Sequence, residues 1–177
     1  EDGVELSSKI YLFQGLPKSD KMELIIQKAV ELGVYEVVPV AAKRSVVKLD
    51  AKKEGAKLAR WQGIAEAAAK QSRRRVVPQI HPVMTMKEAA AYASGMDVGL
   101  IPYELAEGMG KTKELVSSLH GGQSVAVFIG PEGGFEESEI GLAREAGIEP
   151  VTMGRRILRT ETAGLTMLSW IMYQLEN

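Results

Sequence analysis

The chain has 177 residues, a net charge of −1, 45% apolar and 25% charged side chains, the make-up of an ordinary globular domain that can bury its own core. It has no cysteine and only two histidines, His81 and His120, which excludes disulfides, thiolate zinc sites and cysteine nucleophiles and argues against any metal site. No stretch is apolar for long enough to span a bilayer, no signal-peptide pattern opens the chain, and the sole Asn is Asn177, so the expectation is a cytoplasmic protein with no membrane or metal partner.

The chain opens at Glu1 rather than Met, with EDGVELSS, which reads as a piece of a longer protein. KIYLFQGL (9–16) predicts a strand. Pro17 breaks it, and Asp20 with Glu23 three residues on predicts a capping pair. MELIIQKAVEL then places Ile25, Ala29 and Leu32 on one helical face, with Gly33 where a helix ends. YEVVPVAA (35–42) predicts the next strand and 50–72 a long Ala/Lys/Glu-rich helix. PQIHPVM (78–84) reads as an edge piece, and Thr85 with Glu88 frames a capping box for MKEAAAYAS. DVGLIPYE (97–104) predicts a buried strand. LAEGMGKT is the one internal loop of any length. TKELVSSLHGG predicts a helix, SVAVFIG a strand, EESEIGLAREAG a helix, EPVTMG a last strand, and 162–175 an apolar terminal helix. Alternating strands and helices without repeat or linker predict one α/β domain over 1–177 with a largely parallel sheet.

Three familiar sites fail. GMGKT (108–112) resembles the tail of a P-loop, but the first glycine would fall at Leu105 and no strand feeds it. No G-x-G-x-x-G follows a strand, and no G-x-S-x-G elbow occurs. What remains is a set of strand ends: LIPYE (100–104), FIGPEGGF (128–135) and VTMGRRILRTETAG (151–164). In open α/β sheets ligands sit beyond the C-terminal ends of the strands. Gly130, Gly133 and Gly134 would let a flat ligand meet bare main chain, and Pro131 would stiffen the turn. Alone, this loop is equally a tight connection between strand and helix. Arg155, Arg156, Arg159 and Glu161 before the last helix are unusual for a structural turn. The basic runs at Lys70–Arg75 and Arg155–Arg159 are, as patterns, more often solvated helix ends than RNA footprints.

FIGPEGGF, MGRRILRTETA, KMELIIQKAVELGV with VVPV after it, and EAAAKQSRRRVVP (66–78) together resemble the RsmE family, the 16S ribosomal RNA (uracil-N3) methyltransferases of the SPOUT class. The likeness covers nearly the whole chain in the family's order. It departs at Ala29-Val30 and in the run Arg73–Arg75. The resemblance implies a SPOUT-type α/β domain, mostly parallel sheet with helices on both faces, with a deep C-terminal trefoil knot. It implies bent S-adenosylmethionine held largely by backbone at Leu100, Ile101 and Pro102, at Gly130, Pro131, Glu132, Gly133 and Gly134, and at Met153, Gly154, Ile157, Leu158, Arg159, Thr160, Thr162 and Ala163. It implies a homodimer through the knot-side helices, and 16S rRNA in the small ribosomal subunit as partner. The family's N-terminal barrel-like RNA-binding domain is, on this reading, absent from the chain.

Methylation of uridine N3 requires its proton to leave, so charge spreads to the ring carbonyl oxygens. Guanidinium groups there favour the anion, and a carboxylate or its water can take the proton. The expectation is Arg73 and Arg159 as charge stabilisers, Glu66 or Glu161 as proton acceptor, and Gln71 as orienter, with helix capping the rival role for Glu161. Glu132 is expected to brace its own loop. Lys43, Arg44, Lys70, Arg74 and Arg75 are expected along the RNA phosphates. Rivals are a knot methyltransferase acting on a ribose 2′-oxygen or another base, a non-catalytic nucleotide- or RNA-binding module, and a purely structural domain.

Overall fold

The computed structural model describes residues 3–104, 106 and 108–176. Glu1 of the opening segment and Leu105 and Glu107 of the expected long loop lie outside the described residues. The elements alternate: β1 (Lys9–Gly15), α1 (Lys21–Glu31), β2 (Glu36–Ala41), α2 (Ala51–Gln71), β3 (Gln79–Ile80), β4 (Met84–Thr85), α3 (Met86–Ala93), β5 (Val98–Pro102), α4 (Gly110–Ser117), β6 (Ser124–Ile129), α5 (Glu137–Glu145), β7 (Glu149–Val151) and α6 (Thr160–Leu175). The strands form one sheet in the order β3-β2-β1-β6-β5-β7, with β4 also on β2, and every pairing is parallel.

Both faces of the sheet are buried, so the central strands are apolar at consecutive positions rather than at every second one. Ile10 and Leu12 of β1 and Val125, Val127 and Ile129 of β6 join α1, α2 and α6 in one core layer. Phe13, Ala126 and Phe128 face the other way, with α3 and α5. The rings of Phe13 and Phe128 stack with centroids 4.3 Å apart, 2° from coplanar.

The local signals are mostly met. Gly33 ends α1 at φ 96°, the left-handed conformation that costs glycine least. The Asp50 side chain caps α2 through the Lys53 amide at 2.8 Å. Thr85 and Glu88 form the expected capping box, and its hydrogen bonds from Thr85 hold the Glu88 carboxyl below its ordinary range. Two expectations change. Asp20 sits at φ −89°, ψ 12° and makes no side-chain cap; Glu23 instead pairs with Arg60 at 2.6 Å. The terminal helix begins at Thr160, not Thr162, with Arg159 in the cap position.

Candidate active site

In a parallel sheet each helix carries the chain back from one strand edge to the other, so the loops after the strands collect at the C-terminal edge. There they line a cleft of about 1290 Å³. Its walls are the segments after β5 (Pro102, Tyr103, Glu104), after β6 (Gly130–Phe135) and after β7 (Thr152–Thr160), with Ala163 on the first turn of α6. Lys21 and Arg44 reach it from the segments after β1 and β2.

The glycine loop is fastened on every side. Gly134 adopts φ 75° and its amide donates to the Pro131 carbonyl at 2.8 Å. A Cβ on Gly130 would stand 3.0 Å from the Gly134 and Phe135 backbone, so only glycine lets the loop fold back on itself. The Glu132 carboxylate accepts from the Lys18 amide at 3.1 and 3.2 Å and from Lys21 Nζ at 3.1 Å. Partial burial raises the Glu132 pKa, but its own amide, the Lys18 amide and the Lys21 ammonium outweigh that and hold it below the ordinary range. Glu132 therefore ties its loop to the segment after β1 as well as bracing the loop itself. Arg44 Nη1 donates to the Gly133 carbonyl at 2.9 Å, and its aliphatic stem lies against Gly133, where an added Cβ would meet the Arg44 Cβ at 3.2 Å.

The β7–α6 segment is held by α4, whose Thr112 hydroxyl donates to the Thr152 carbonyl at 2.7 Å. Gly154 turns at φ 110°. Arg155, Arg156 and Arg159 are exposed, and among the described residues none of them forms an ion pair. Ile157, 95% exposed, stands among them. Thr160 is buried, its hydroxyl donating to the Gly130 carbonyl at 2.7 Å and accepting from Gln14 Nε2 at 2.8 Å. Glu161 lies 3.8 Å from Lys21 Nζ, and its Oε2 has no hydrogen-bond partner.

Of the expected ligand residues, Pro102, Gly130, Pro131, Glu132, Gly133, Gly134, Met153, Gly154, Ile157, Leu158, Arg159, Thr160 and Ala163 line the cleft. Leu100 and Ile101 do not: both are wholly buried within β5. Thr162 is exposed on α6 and stands outside the lining. The α2 group needs a larger correction. Val83 donates to Glu54 near the start of α2, beside the β2–β4 pairing at Val40 and Met84. Arg74 just past its end bonds to Val34, ahead of β2. The helix thus runs from the cleft edge to the opposite edge, roughly 30 Å for 21 residues. Arg73, Glu66, Gln71, Lys70 and Arg75 are exposed on its distal half or beyond it, and within one chain none lines the cleft.

Arg74 is corrected outright. It is buried, and every guanidinium nitrogen is engaged: Nη1 donates to the Val30 and Val34 carbonyls, and Nε and Nη2 to the Glu5 carboxylate. It ties α1 to the start of β2 and is not available to a phosphate. Lys43 is exposed but engaged, its ammonium donating to Ser138 at 2.9 Å with Glu136 at 3.5 Å. Lys21, Ala106, Gly108, Met109 and Ile140 also line the cleft, and no strand-end motif pointed to them.

This fold and cleft are those of RNA methyltransferase domains, whose family model matches residues 4–172. The ribosomal RNA small subunit methyltransferase E of Bacillus subtilis (strain 168) is 43% identical over 175 residues, covering 97% of this chain and 68% of that protein. A crystal structure of ribosomal RNA small subunit methyltransferase E from Neisseria gonorrhoeae bound to S-adenosyl methionine superposes with a TM-score of 0.84 at 37% identity, over 95% of this chain and 67% of that one. The chain belongs to the ribosomal RNA small subunit methyltransferase E family. At fold level alone it also resembles a SpoU methyltransferase from Streptomyces viridochromogenes, with a TM-score of 0.52 at 18% identity over 97% of this chain and 62% of that one.

Proposed function

We propose that the chain is the catalytic domain of an S-adenosylmethionine-dependent methyltransferase acting on N3 of a uridine in 16S rRNA of the small ribosomal subunit, in the cytoplasm. The observation that carries this reading is the cleft where three strand-end segments of largely bare main chain meet exposed arginines. Its volume exceeds the usual range for one small ligand, roughly 300–1,000 Å³, and so accommodates a donor together with a nucleobase. The N. gonorrhoeae relative holds S-adenosyl methionine, and the loops here offer the backbone groups and apolar Met153, Ile157 and Leu158 that suit an adenosine.

S-adenosylmethionine supplies, when bound, a methyl carbon activated by its sulfonium. The protein's part is alignment and charge. Arg159 and Arg44, both lining the cleft, favour the uridine ring as its anion by standing near its carbonyl oxygens. Arg44 thus takes the role first expected of Arg73. Glu161 stands one residue beyond the cleft lining with its buried Oε2 3.8 Å from Lys21 Nζ, so it takes the N3 proton only through a water that reaches the cleft. The ring nitrogen then forms its bond to the methyl carbon as the carbon–sulfur bond breaks, leaving a neutral thioether. The uridine must be unstacked to expose N3.

In the same reading the C-terminal segment is threaded as a trefoil knot. The path that supports this runs from β7 at the sheet edge back over the glycine loop, so that α6 packs beside β6 and α1. A homodimer through α6 is supported by Tyr173, 85% exposed beside an apolar groove that Met109, Val116 and Trp170 also line. Residues 1–177 belong, in this reading, to one methyltransferase domain.

The test is calorimetry with S-adenosylmethionine, then methyl transfer to unmethylated small-subunit RNA with mass mapping of the nucleoside. Arg159→Ala is expected to slow methyl transfer about 10²-fold or more, the scale of one lost charge-stabilising donor, with donor affinity changed by less than about threefold, whereas Arg44→Gln, which also releases the Gly133 carbonyl, is expected to lower both. No donor binding by the folded protein, or methylation at a ribose oxygen, refutes the reading.

A further inference from the structure

Gln14 is a fully buried amide at the end of the central strand β1, and it does not line the cleft. Its Nε2 donates to the Gly15 carbonyl at 2.9 Å and to Thr160 Oγ1 at 2.8 Å, and Thr160 Oγ1 donates to the Gly130 carbonyl at 2.7 Å. The direction of each proton in this relay follows from the partners. A carbonyl oxygen can only accept, so the Gln14 atom facing Gly15 is the amide nitrogen. Its second hydrogen goes to Thr160, whose single hydroxyl hydrogen is left for Gly130. Three bonds therefore join the sheet, the first turn of α6 and the first peptide of the glycine loop.

We infer that Gln14 and Thr160 are positioning residues that preset the Gly130 peptide, and with it the glycine loop, in the geometry that receives the methyl donor. This rests on the reading of the cleft as the donor site. Gly130 has no side chain of its own to hold it, and its loop must fold back to within contact of Gly134. A carbonyl at this depth left without a partner is costly, so the relay selects one orientation of the peptide. A loop fixed before the ligand arrives spares the ordering entropy that binding would otherwise cost. Thr160 contributes by holding its neighbour, since its hydroxyl is fully used by Gln14 and Gly130.

The experiment compares Thr160→Val, Thr160→Ser and Gln14→Met with the parent chain by hydrogen exchange without ligand, thermal melting, and calorimetry with S-adenosylmethionine. Thr160→Val is expected to speed amide exchange across residues 130–136 and to weaken donor binding, each by about tenfold, the effect of one buried hydrogen bond lost. Thr160→Ser keeps the hydroxyl and restores both. Gln14→Met gives a smaller loss in the same direction, because the Thr160 hydroxyl is then free to turn. A folded Thr160→Val protein with loop exchange and affinity within twofold of the parent overturns the inference, as does a lowered melting temperature alone. Should Thr160→Val fail to fold, Gln14→Met decides by the same two readouts. A parent chain that does not bind the donor sinks the reading of the cleft instead, while exchange in the ligand-free variants still judges the relay.

Discussion

Replacing Gly15 by alanine tests how tightly the glycine loop is seated on the sheet. Gly15 is the last residue of β1, and a Cβ there would stand 2.5 Å from Pro131 Cδ, 2.7 Å from Pro131 N and 3.1 Å from the Gly130 carbonyl carbon. Carbon atoms in comfortable contact are roughly 3.5–4.0 Å apart, so the new methyl must displace the loop by about 1 Å. None of the atoms it meets can swing aside, because they belong to a proline ring and to backbone. Gly130 is also held by Thr160 and packed against Gly134, which leaves no slack on the far side. Overpacking of this kind costs about 1–3 kcal/mol of stability. A 1 Å shift in a ligand-positioning loop costs up to about 10²-fold in turnover, and a comparable loss of donor affinity is expected. Thermal melting and calorimetry with S-adenosylmethionine measure the two effects separately. A Gly15→Ala protein that melts with the parent and binds the donor within a factor of two would show that the loop is not seated as described.

Glu132 is held below the ordinary carboxylate range in the folded chain. It therefore adds stability that is present above the unfolded pKa and lost as pH falls through the lower folded value. Melting temperature should drop as the parent is acidified below about pH 4, and Glu132→Gln should start lower at neutral pH and fall less steeply over that window; equal slopes refute the pairing with Lys18 and Lys21. Arg74→Ala leaves the Val30 and Val34 carbonyls and the Glu5 carboxylate without their shared partner, at a cost of about 3–5 kcal/mol in denaturant unfolding. The salt dependence of RNA binding should not change, and a stable variant with a shallower salt slope would return Arg74 to the RNA track.

The fold was legible because its signals are local. Runs of apolar residues without alternation marked β1 and β6, Gly33 marked the end of α1, and Thr85 with Glu88 marked the start of α3. Asp20 and Glu23 carried a similar spacing without the result, since Asp20 lies outside the extended cap conformation and Glu23 pairs with Arg60. Much of the cleft was also legible, because glycines and arginines cluster after strands. What failed were inferences across distance. Arg73, Arg74 and Arg75 are adjacent in sequence, yet Arg74 alone turns inward to meet carbonyls some forty residues earlier in the chain. Their separation from Arg159 follows from the direction of α2 relative to the sheet, which no motif encodes. Gln14 gave no signal at all, and Arg44 was expected on the RNA track rather than in the cleft, because their importance lies in partners that only the fold supplies.

The sheet order also sets a timetable. Residues 9–14 of β1 pair with 124–129 of β6, and the pocket floor beneath Gly130 is completed only when Thr160 arrives. During synthesis β1 can gain its β2 neighbour early, but its other edge waits until most of the domain has emerged. Until then Ile10, Leu12 and Phe13 border an open strand, the kind of surface on which nascent chains stick to one another. Long-range parallel pairing of this sort is slow, so refolding should be sluggish and concentration-sensitive, and donor affinity should return in the slowest phase.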